Sequence, residues 1–125
     1  MEAKNNPDNV INDITIQNDK YTKYLFAGDN SKVLIKGALI DNVLGYNINN
    51  YMEFDKLIKK NIKYYQCKLK DNTKYGDKYE VKMVLKGLKD RQAKLTVGVI
   101  SKDNKYKLTI IYINELKESE LKYES

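Results

Sequence analysis

Three alternating segments in the second half of the chain constrain its fold most strongly. In each, apolar residues occupy every second position, which places them on one side of an extended strand, and the mostly polar residues between them lie on the other side. The apolar series are Tyr79, Val81, Met83, Leu85; Ala93, Leu95, Val97, Val99; and Tyr106, Leu108, Ile110, Tyr112. The pattern predicts three strands of a sheet that has one face on a core and one in water.

Short polar connections join these segments. Residues 87–90 and 102–105 are typical of antiparallel hairpin turns, and residues 74–77 predict a turn before the first segment. A further alternating segment, residues 64–70, predicts an earlier strand with Tyr65, Cys67 and Leu69 on its inner side. The four strands should therefore form an antiparallel meander.

Helical spacing predicts a helix that ends at Leu44. Asn30 and its neighbours can cap the start, and Gly45 is placed to end it. Its apolar residues recur three and four apart: Leu34, Ile35, Ala38, Leu39 and Val43.

A second helix should follow. Asn50 with Glu53 three residues later is typical of a capping box. An apolar stripe is formed by Phe54, Leu57, Ile58 and Ile62. The predicted fold class is therefore α+β, with two N-terminal helices packed on a four-stranded antiparallel sheet.

The chain of 125 residues is long enough for one domain with one core. We expect a flexible leader at residues 1–18, in which the apolar patch at 10–14 could dock, the α+β domain at 19–114, and an acidic tail at 115–125. Cys67 is the single cysteine and there is no histidine, so a disulfide framework and a structural zinc site are not expected. We interpret Cys67 as an ordinary buried thiol.

The net charge of +6 is unevenly distributed. Residues 1–30 and 114–125 each carry a net charge of −2, so the segment between them carries +10. Such a basic domain favours a polyanionic partner, with nucleic acid first, an anionic membrane second and an acidic protein third. The alternative is a lysine surface that serves only solubility.

Three short stretches resemble a bacterial toxin family. Residues 36–46 look like the first helix, with its Leu-Gly-Tyr/Phe ending, of the small C-terminal domain of polymorphic and contact-dependent growth inhibition toxins and of some phage minor head proteins. Residues 74–79 match that family's Tyr-Gly-x-x-Tyr strand start, and residues 87–93 match its glycine-bearing hairpin. The order of elements is also similar to that of the barnase, colicin tRNase and RelE-like ribonucleases, which is an analogy of topology.

The resemblance implies a toxin domain that acts as a metal-independent ribonuclease on RNA, with tRNA as the expected substrate. It implies delivery within a larger secreted toxin, action in the target-cell cytoplasm, and neutralisation by an acidic immunity protein, so that the domain is a monomer or part of a toxin–immunity heterodimer. No cofactor, metal or membrane anchor is expected. In one departure, residues 27–31 replace the family's Asn-Pro-x-His-Pro loop, so a mechanism through that histidine does not apply.

Cleavage of RNA through the 2′-hydroxyl needs a base, an acid and cations that balance the charge of the phosphorane. RelE-like toxins, by resemblance, use lysine, arginine and tyrosine for these roles. Arg91, the only arginine, is the expected phosphate clamp because its fork binds two oxygens. The candidate catalytic residues are Lys36, Lys82, Arg91, Lys94, Tyr79 and Tyr112.

Each candidate also has a plainer interpretation. Tyr79 and Tyr112 alternate with apolar neighbours and are first interpreted as core residues, with the exposed, lysine-bearing sheet face as the alternative for Tyr112. Lys82 faces solvent in any version of the fold, and Arg91 lies in a turn. The alternative function is a non-catalytic module that binds nucleic acid or protein on a basic sheet face. The positive charge argues against an immunity protein. The ribonuclease hypothesis requires Lys36 to converge with Lys82, Lys94 and Arg91 in one concave, strongly cationic pocket.

Overall fold

The computed structural model describes residues 10–114 and confirms the predicted α+β class. A π-helical turn, Lys20–Leu25, precedes helices α1, Ser31–Leu44, and α2, Tyr51–Asn61. The 3-10 turn Ile62–Tyr64 leads into the strands β1, Cys67–Thr73; β2, Gly76–Lys86; β3, Gln92–Lys102; and β4, Lys105–Ile113. All neighbouring strands are antiparallel, in the order β1-β2-β3-β4.

Helix α1 has the predicted ends. The side chain of Asn30 accepts hydrogen bonds from the backbone N–H groups of Lys32, at 3.0 Å, and Val33, at 3.4 Å. The first N–H groups of a helix lack carbonyl partners one turn earlier, so the Asn30 side chain supplies an acceptor for them; the Val33 N–H also donates to the Asn30 carbonyl at 3.1 Å. At the other end Gly45 adopts φ 86°, a left-handed conformation that glycine adopts without strain.

Helix α2 begins after Asn50 as predicted, but the capping box is wrong. The Asn50 side chain accepts from the backbone N–H of Asn47 at 2.7 Å and donates to the carbonyl of Gly45 at 3.0 Å. The Asn50 side chain therefore forms hydrogen bonds with backbone groups of the tight loop between the helices, and not with those at the start of α2. The apolar stripe is confirmed, because Phe54, Ile58 and Ile62 are fully buried.

One hydrophobic core lies between the helices and the inner face of the sheet, as we call the face that carries Val81, Met83, Leu95 and Val97. Cys67 belongs to this core, as predicted. Aromatic rings fill the helical side, where Tyr21, Tyr46, Phe54, Phe26 and Tyr51 stack or meet edge to face.

The packed domain begins earlier than the predicted boundary at residue 19. Ile11, Ile14 and Ile16 are buried, so the apolar patch of the predicted leader does dock. Thr15 also lies beside β4: its N–H donates to the carbonyl of Tyr106 at 2.8 Å, and its carbonyl accepts from the N–H of Leu108 at 2.9 Å. Residues 1–9 of the predicted leader and the predicted tail at 115–125 lie outside the described residues.

The predicted facing of β4 is correct only in its first half. Leu108 pairs with Val99 but Ile110 pairs with Gly98, so one extra residue, Thr109, forms a β-bulge. The bulge reverses the alternation, so that Ile111 and Ile113 are buried while Ile110 is 42% exposed. Gly98 permits it, because a Cβ there would lie only 2.5 Å from Cγ2 of Ile110.

Strand β1 also differs from its prediction. It starts at Cys67 because the chain before it forms the 3-10 turn, and it runs on to Thr73. Leu69 pairs with Tyr79 on the inner side, but it is 49% exposed on this edge strand. The predicted inner side of Leu69 is therefore correct, but its side chain is only half-buried there.

Candidate nucleic-acid interface

The face of the sheet opposite the core, here called the outer face, is rich in lysine. Within residues 10–114, strand pairing places eight exposed lysines on it, against two acidic residues, Asp71 and Glu80. The eight lysines are Lys68, Lys78, Lys82, Lys86, Lys94, Lys102, Lys105 and Lys107. The buried side chains of α1 and α2 all belong to the core on the inner side, so these helices do not pack on the outer face.

A row of candidate residues crosses the outer face. Lys82 pairs with Thr96, and Thr96 pairs with Tyr112, so the three lie side by side on neighbouring strands about 4.8 Å apart. The ammonium group of Lys36, from α1, lies 5.3 Å from the centre of the Tyr112 ring and extends the row beyond β4. Lys94 is the diagonal neighbour of Lys82, at roughly 7–8 Å between Cα atoms. The structure thus places Lys36, Tyr112, Lys82 and Lys94 in one region.

The remaining two candidates lie elsewhere. Tyr79 is on the inner side, partly buried against the core, with its ring centre 6.2 Å from that of Tyr106. Arg91 is exposed in the turn before β3, where its carbonyl accepts from the N–H of Gly87 at 3.1 Å. It precedes Lys94 by three residues, about 10 Å along an extended chain. Neither residue joins the row.

The first interpretation of Tyr112 as a core residue is wrong. It is half-buried on the outer face, because the bulge at Thr109 reverses the facing of the residues that follow. Thr96 beside it is the buried centre of the row, 1% exposed, and its hydroxyl donates to Oδ1 of Asn114 at 2.6 Å.

Two grooves flank the row and meet at the bulge. The outer groove, of about 410 Å³, lies on the outer face, and the edge groove, of about 190 Å³, lies between the π-helical turn, α1 and β4. Thr109 and Ile110 line both, so the two grooves adjoin at the edge of the sheet. Lys36 lines the edge groove, and Tyr112 and Tyr79 line the outer groove. Lys82, Lys94 and Arg91 line neither, so Lys36 shares no groove with them.

Sequence reasoning missed Lys20, Tyr24 and Ile110, which also line the edge groove. The Lys20 ammonium donates to the carbonyl of Thr109 at 3.5 Å and lies 5.6 Å from the Tyr24 ring centre. The sequence does carry a signal for this pair: Lys20 precedes Tyr24 by four residues, and that spacing places both side chains on one side of a helix. Ile110 could not be found this way, because the bulge that exposes it depends on β3.

Lysine and tyrosine are neighbours at two further exposed places. The ammonium of Lys63 lies 5.5 Å from the ring centre of Tyr64, and that of Lys74 lies 5.1 Å from the ring centre of Tyr75. Tyr64 is 70% exposed and Tyr75 66% exposed. Such pairs offer an aromatic surface and a positive charge at the same position.

The groups whose pKa values are clearly shifted lie away from the row. Burial raises the pKa of Tyr21 far above its ordinary value. The Asp55 carboxylate, which accepts a hydrogen bond from the Tyr21 hydroxyl at 2.9 Å, raises this pKa further. Burial also raises the pKa of Tyr46, with a contribution from Glu53. In the exposed turn after β2, the hydrogen bond from Lys86 lowers the pKa of Asp90.

Among residues 10–114 no three His, Cys, Asp or Glu side chains lie close enough together to hold a metal ion. In the same part of the chain, no helix combines the length and the apolar character that crossing a membrane requires.

Residues 7–115 match the family described as Domain of unknown function (DUF6883). The chain belongs to this family. The match spans the DUF6883 fold from before the docked isoleucines to the end of β4, so the row and both grooves lie within it. No curated protein and no solved structure matches this DUF6883 chain.

Proposed function

We propose that this DUF6883 domain binds RNA on the outer face of its sheet. The observation that supports the proposal is that eight exposed lysines and two acidic residues lie on that face. Lysines that neutralise phosphates release the counterions condensed on the nucleic acid, which makes binding favourable and dependent on salt. The described residues carry a net charge of +9, from twenty basic and eleven acidic side chains, so the field around the domain also attracts RNA.

Unpaired RNA fits this surface better than a duplex. An exposed tyrosine beside a lysine, such as Tyr24 beside Lys20 at the edge of this face, can stack on a base while the ammonium groups bind phosphates. Bases are accessible for stacking only where they are not paired. A tRNA offers such bases in its loops and at its 3′ end.

Cleavage of the bound RNA is a second candidate function, supported by the contact of Lys36 with Tyr112 in one row with Lys82. In this reaction the ribose O2′ loses its proton and bonds to phosphorus, and the bond from phosphorus to O5′ breaks as O5′ gains a proton. The products are a 2′,3′-cyclic phosphate and a 5′-hydroxyl. We assign the two proton transfers to Lys36 and Tyr112, and the balance of phosphorane charge to Lys82 and Lys94.

The toxin setting is proposed from the sequence resemblance alone. In it, the domain is delivered within a larger toxin, acts on RNA in the target-cell cytoplasm, and is held inactive by an acidic immunity protein. An acidic protein would be attracted to the outer face and would exclude RNA from it, because opposite charges favour this association.

The binding proposal is tested with the purified chain and a short, labelled single-stranded RNA, by fluorescence anisotropy at several salt concentrations. Lys82→Glu with Lys94→Glu should weaken binding by about ten-fold or more and reduce its salt dependence. The matched control is Lys56→Glu with Lys60→Glu, which changes the charge equally on the exposed side of α2. Equal losses for the two pairs would mean that the outer face is not the binding surface.

The cleavage proposal is tested by inducible expression in bacteria and by gel analysis of total tRNA. We expect growth arrest and tRNA fragments that end in a cyclic phosphate, both abolished by Lys36→Ala. Tyr112→Phe keeps the ring and its contact with Lys36 but removes the hydroxyl, so it should stop cleavage without weakening RNA binding. Binding of intact RNA with no fragments would leave the binding function and exclude the ribonuclease.

A further inference from the structure

The edge groove has an apolar interior and a positive charge near each end. Leu25 and Val33 form one wall, and the edge of β4 forms the other. The Lys20 ammonium is bound at the carbonyl of Thr109, and the Lys36 ammonium lies at the ring of Tyr112. Three residues of extended chain separate these points, which places the two charges roughly 10 Å apart along the groove.

An exposed aromatic ring and an exposed aliphatic side chain stand at its opening. Tyr24 is 56% exposed and Ile110 is 42% exposed. Ile110 is also part of the outer groove, so a chain that crosses the outer face can continue into the edge groove without leaving the protein surface. This continuity depends on the bulge, which turns Ile110 outward.

We propose that the edge groove holds one unstacked nucleobase of a single-stranded RNA whose backbone crosses the outer face. The inference rests on the proposed RNA binding and adds a place for a base. A volume of about 190 Å³ is small for a drug-sized ligand, since such pockets measure roughly 300–1,000 Å³, but it suits a single flat ring. The Tyr24 ring stacks on the base, and Lys20 and Lys36 bind the phosphates on either side of it.

This arrangement predicts selection of unpaired RNA. A base in a duplex is held in the stack and cannot enter a groove at the sheet edge, whereas a base in a loop or at a chain end can. The lysines of the outer face alone would not distinguish the two, because they bind phosphates of either form.

The test compares three labelled probes of equal charge: oligouridylate, an abasic oligomer with the same backbone, and an RNA duplex of matched phosphate number. We expect the wild-type chain to bind oligouridylate about ten-fold or more tightly than the abasic oligomer, given the usual strength of base stacking on aromatic side chains. Tyr24→Ala, and Val33→Trp, which fills the groove, should remove this preference but keep the binding of the abasic oligomer. Tyr75→Ala is the matched control, because it removes an equally exposed tyrosine beside a lysine at a distant turn.

The outcomes separate the two proposals. Equal binding of oligouridylate and the abasic oligomer by the wild-type chain, or a preference that survives in Tyr24→Ala, would overturn the base groove and leave the RNA-binding face intact. Failure of all three probes to bind would overturn the RNA-binding face, and the base groove with it. Circular dichroism of each variant confirms that a loss of preference is not a loss of folding.

Discussion

The ammonium group of Lys36 lies 5.3 Å from the ring centre of Tyr112, and this contact joins the first α-helix to the outer side of the last strand. The two residues lie 76 positions apart in the chain. Lys36 lines the edge groove and Tyr112 lines the outer groove, so their contact bears on the proposed function as well as on the stability of the domain.

We expect the Lys36–Tyr112 contact to contribute about 0.5–1 kcal/mol to the free energy of unfolding, which is typical of a partly exposed cation–π pair. The measurement is a double-mutant cycle in urea with Lys36→Met and Tyr112→Leu. The losses of unfolding free energy in the two single variants should add to more than the loss in the double variant, because each substitution removes the same contact. Strict additivity would show that the contact has no energetic value.

Gly98→Ala should destabilise the domain by about 1–3 kcal/mol, because the new Cβ would overlap Ile110 across the bulge. Ile110→Ala alone should cost little, since this side chain is 42% exposed. The double variant should recover part of the loss, because Cγ2 of Ile110 is then absent. Thermal unfolding of the three variants measures this, and a double variant less stable than Gly98→Ala would contradict the role of the bulge.

The stability of the domain should fall in the alkaline range because of Tyr21. Its folded-state pKa is raised, so the contribution is fully present below the ordinary tyrosine pKa of about 10 and is lost as pH rises above that value. There the unfolded chain releases the phenolic proton and the folded chain keeps it. Tyr21→Phe should flatten the loss between about pH 9 and 11 in urea unfolding, relative to the wild type.

Tyr21→Phe should also lower the free energy of unfolding at neutral pH. Tyr21→Phe removes the hydrogen bond to Asp55 but leaves the ion pair of Asp55 with Lys59 at 2.9 Å, so we expect a loss of about 1–2 kcal/mol. A control is Tyr24→Phe, an exposed tyrosine in the same helical turn, which should be nearly neutral. An unchanged alkaline profile in Tyr21→Phe would refute the assignment to this residue.

Asn50→Ala should destabilise the chain by about 1–3 kcal/mol, because it leaves the N–H of Asn47 and the carbonyl of Gly45 without their partner in a tight loop. Asn49→Ala is the matched control, since the Asn49 side chain makes no hydrogen bond among the residues that the structure describes. Chemical denaturation compares the two, and similar midpoints would show that Asn50 does not hold the loop.

Features with a local cause could be predicted from the sequence. The ends of α1 follow from Asn30 and Gly45, whose effects act within one helical turn. The facing of β2 and β3 follows from apolar residues at every second position, from Tyr79 to Leu85 and from Ala93 to Val99. These elements include Lys82 and Lys94, whose outward direction was therefore predictable.

Features that depend on another part of the chain could not be predicted. The facing of Tyr112 is set by Gly98, which lies on the neighbouring strand and makes room for the extra residue. The contact of Lys36 with Tyr112 depends on how α1 packs at the sheet edge. Asn50 has the right spacing for a capping box, but the nearby loop offers its side chain a better set of partners.

The pairing of Thr15 with β4 has a practical consequence for any shortened version of this protein. A chain begun at residue 19 would lose three buried isoleucines and would bare the backbone N–H of Leu108 and the carbonyl of Tyr106 on an edge strand. Uncovered edges recruit strands from other molecules. Such a fragment should self-associate on expression. A fragment that retains the segment from Val10 onward keeps these two backbone groups of β4 hydrogen-bonded to Thr15.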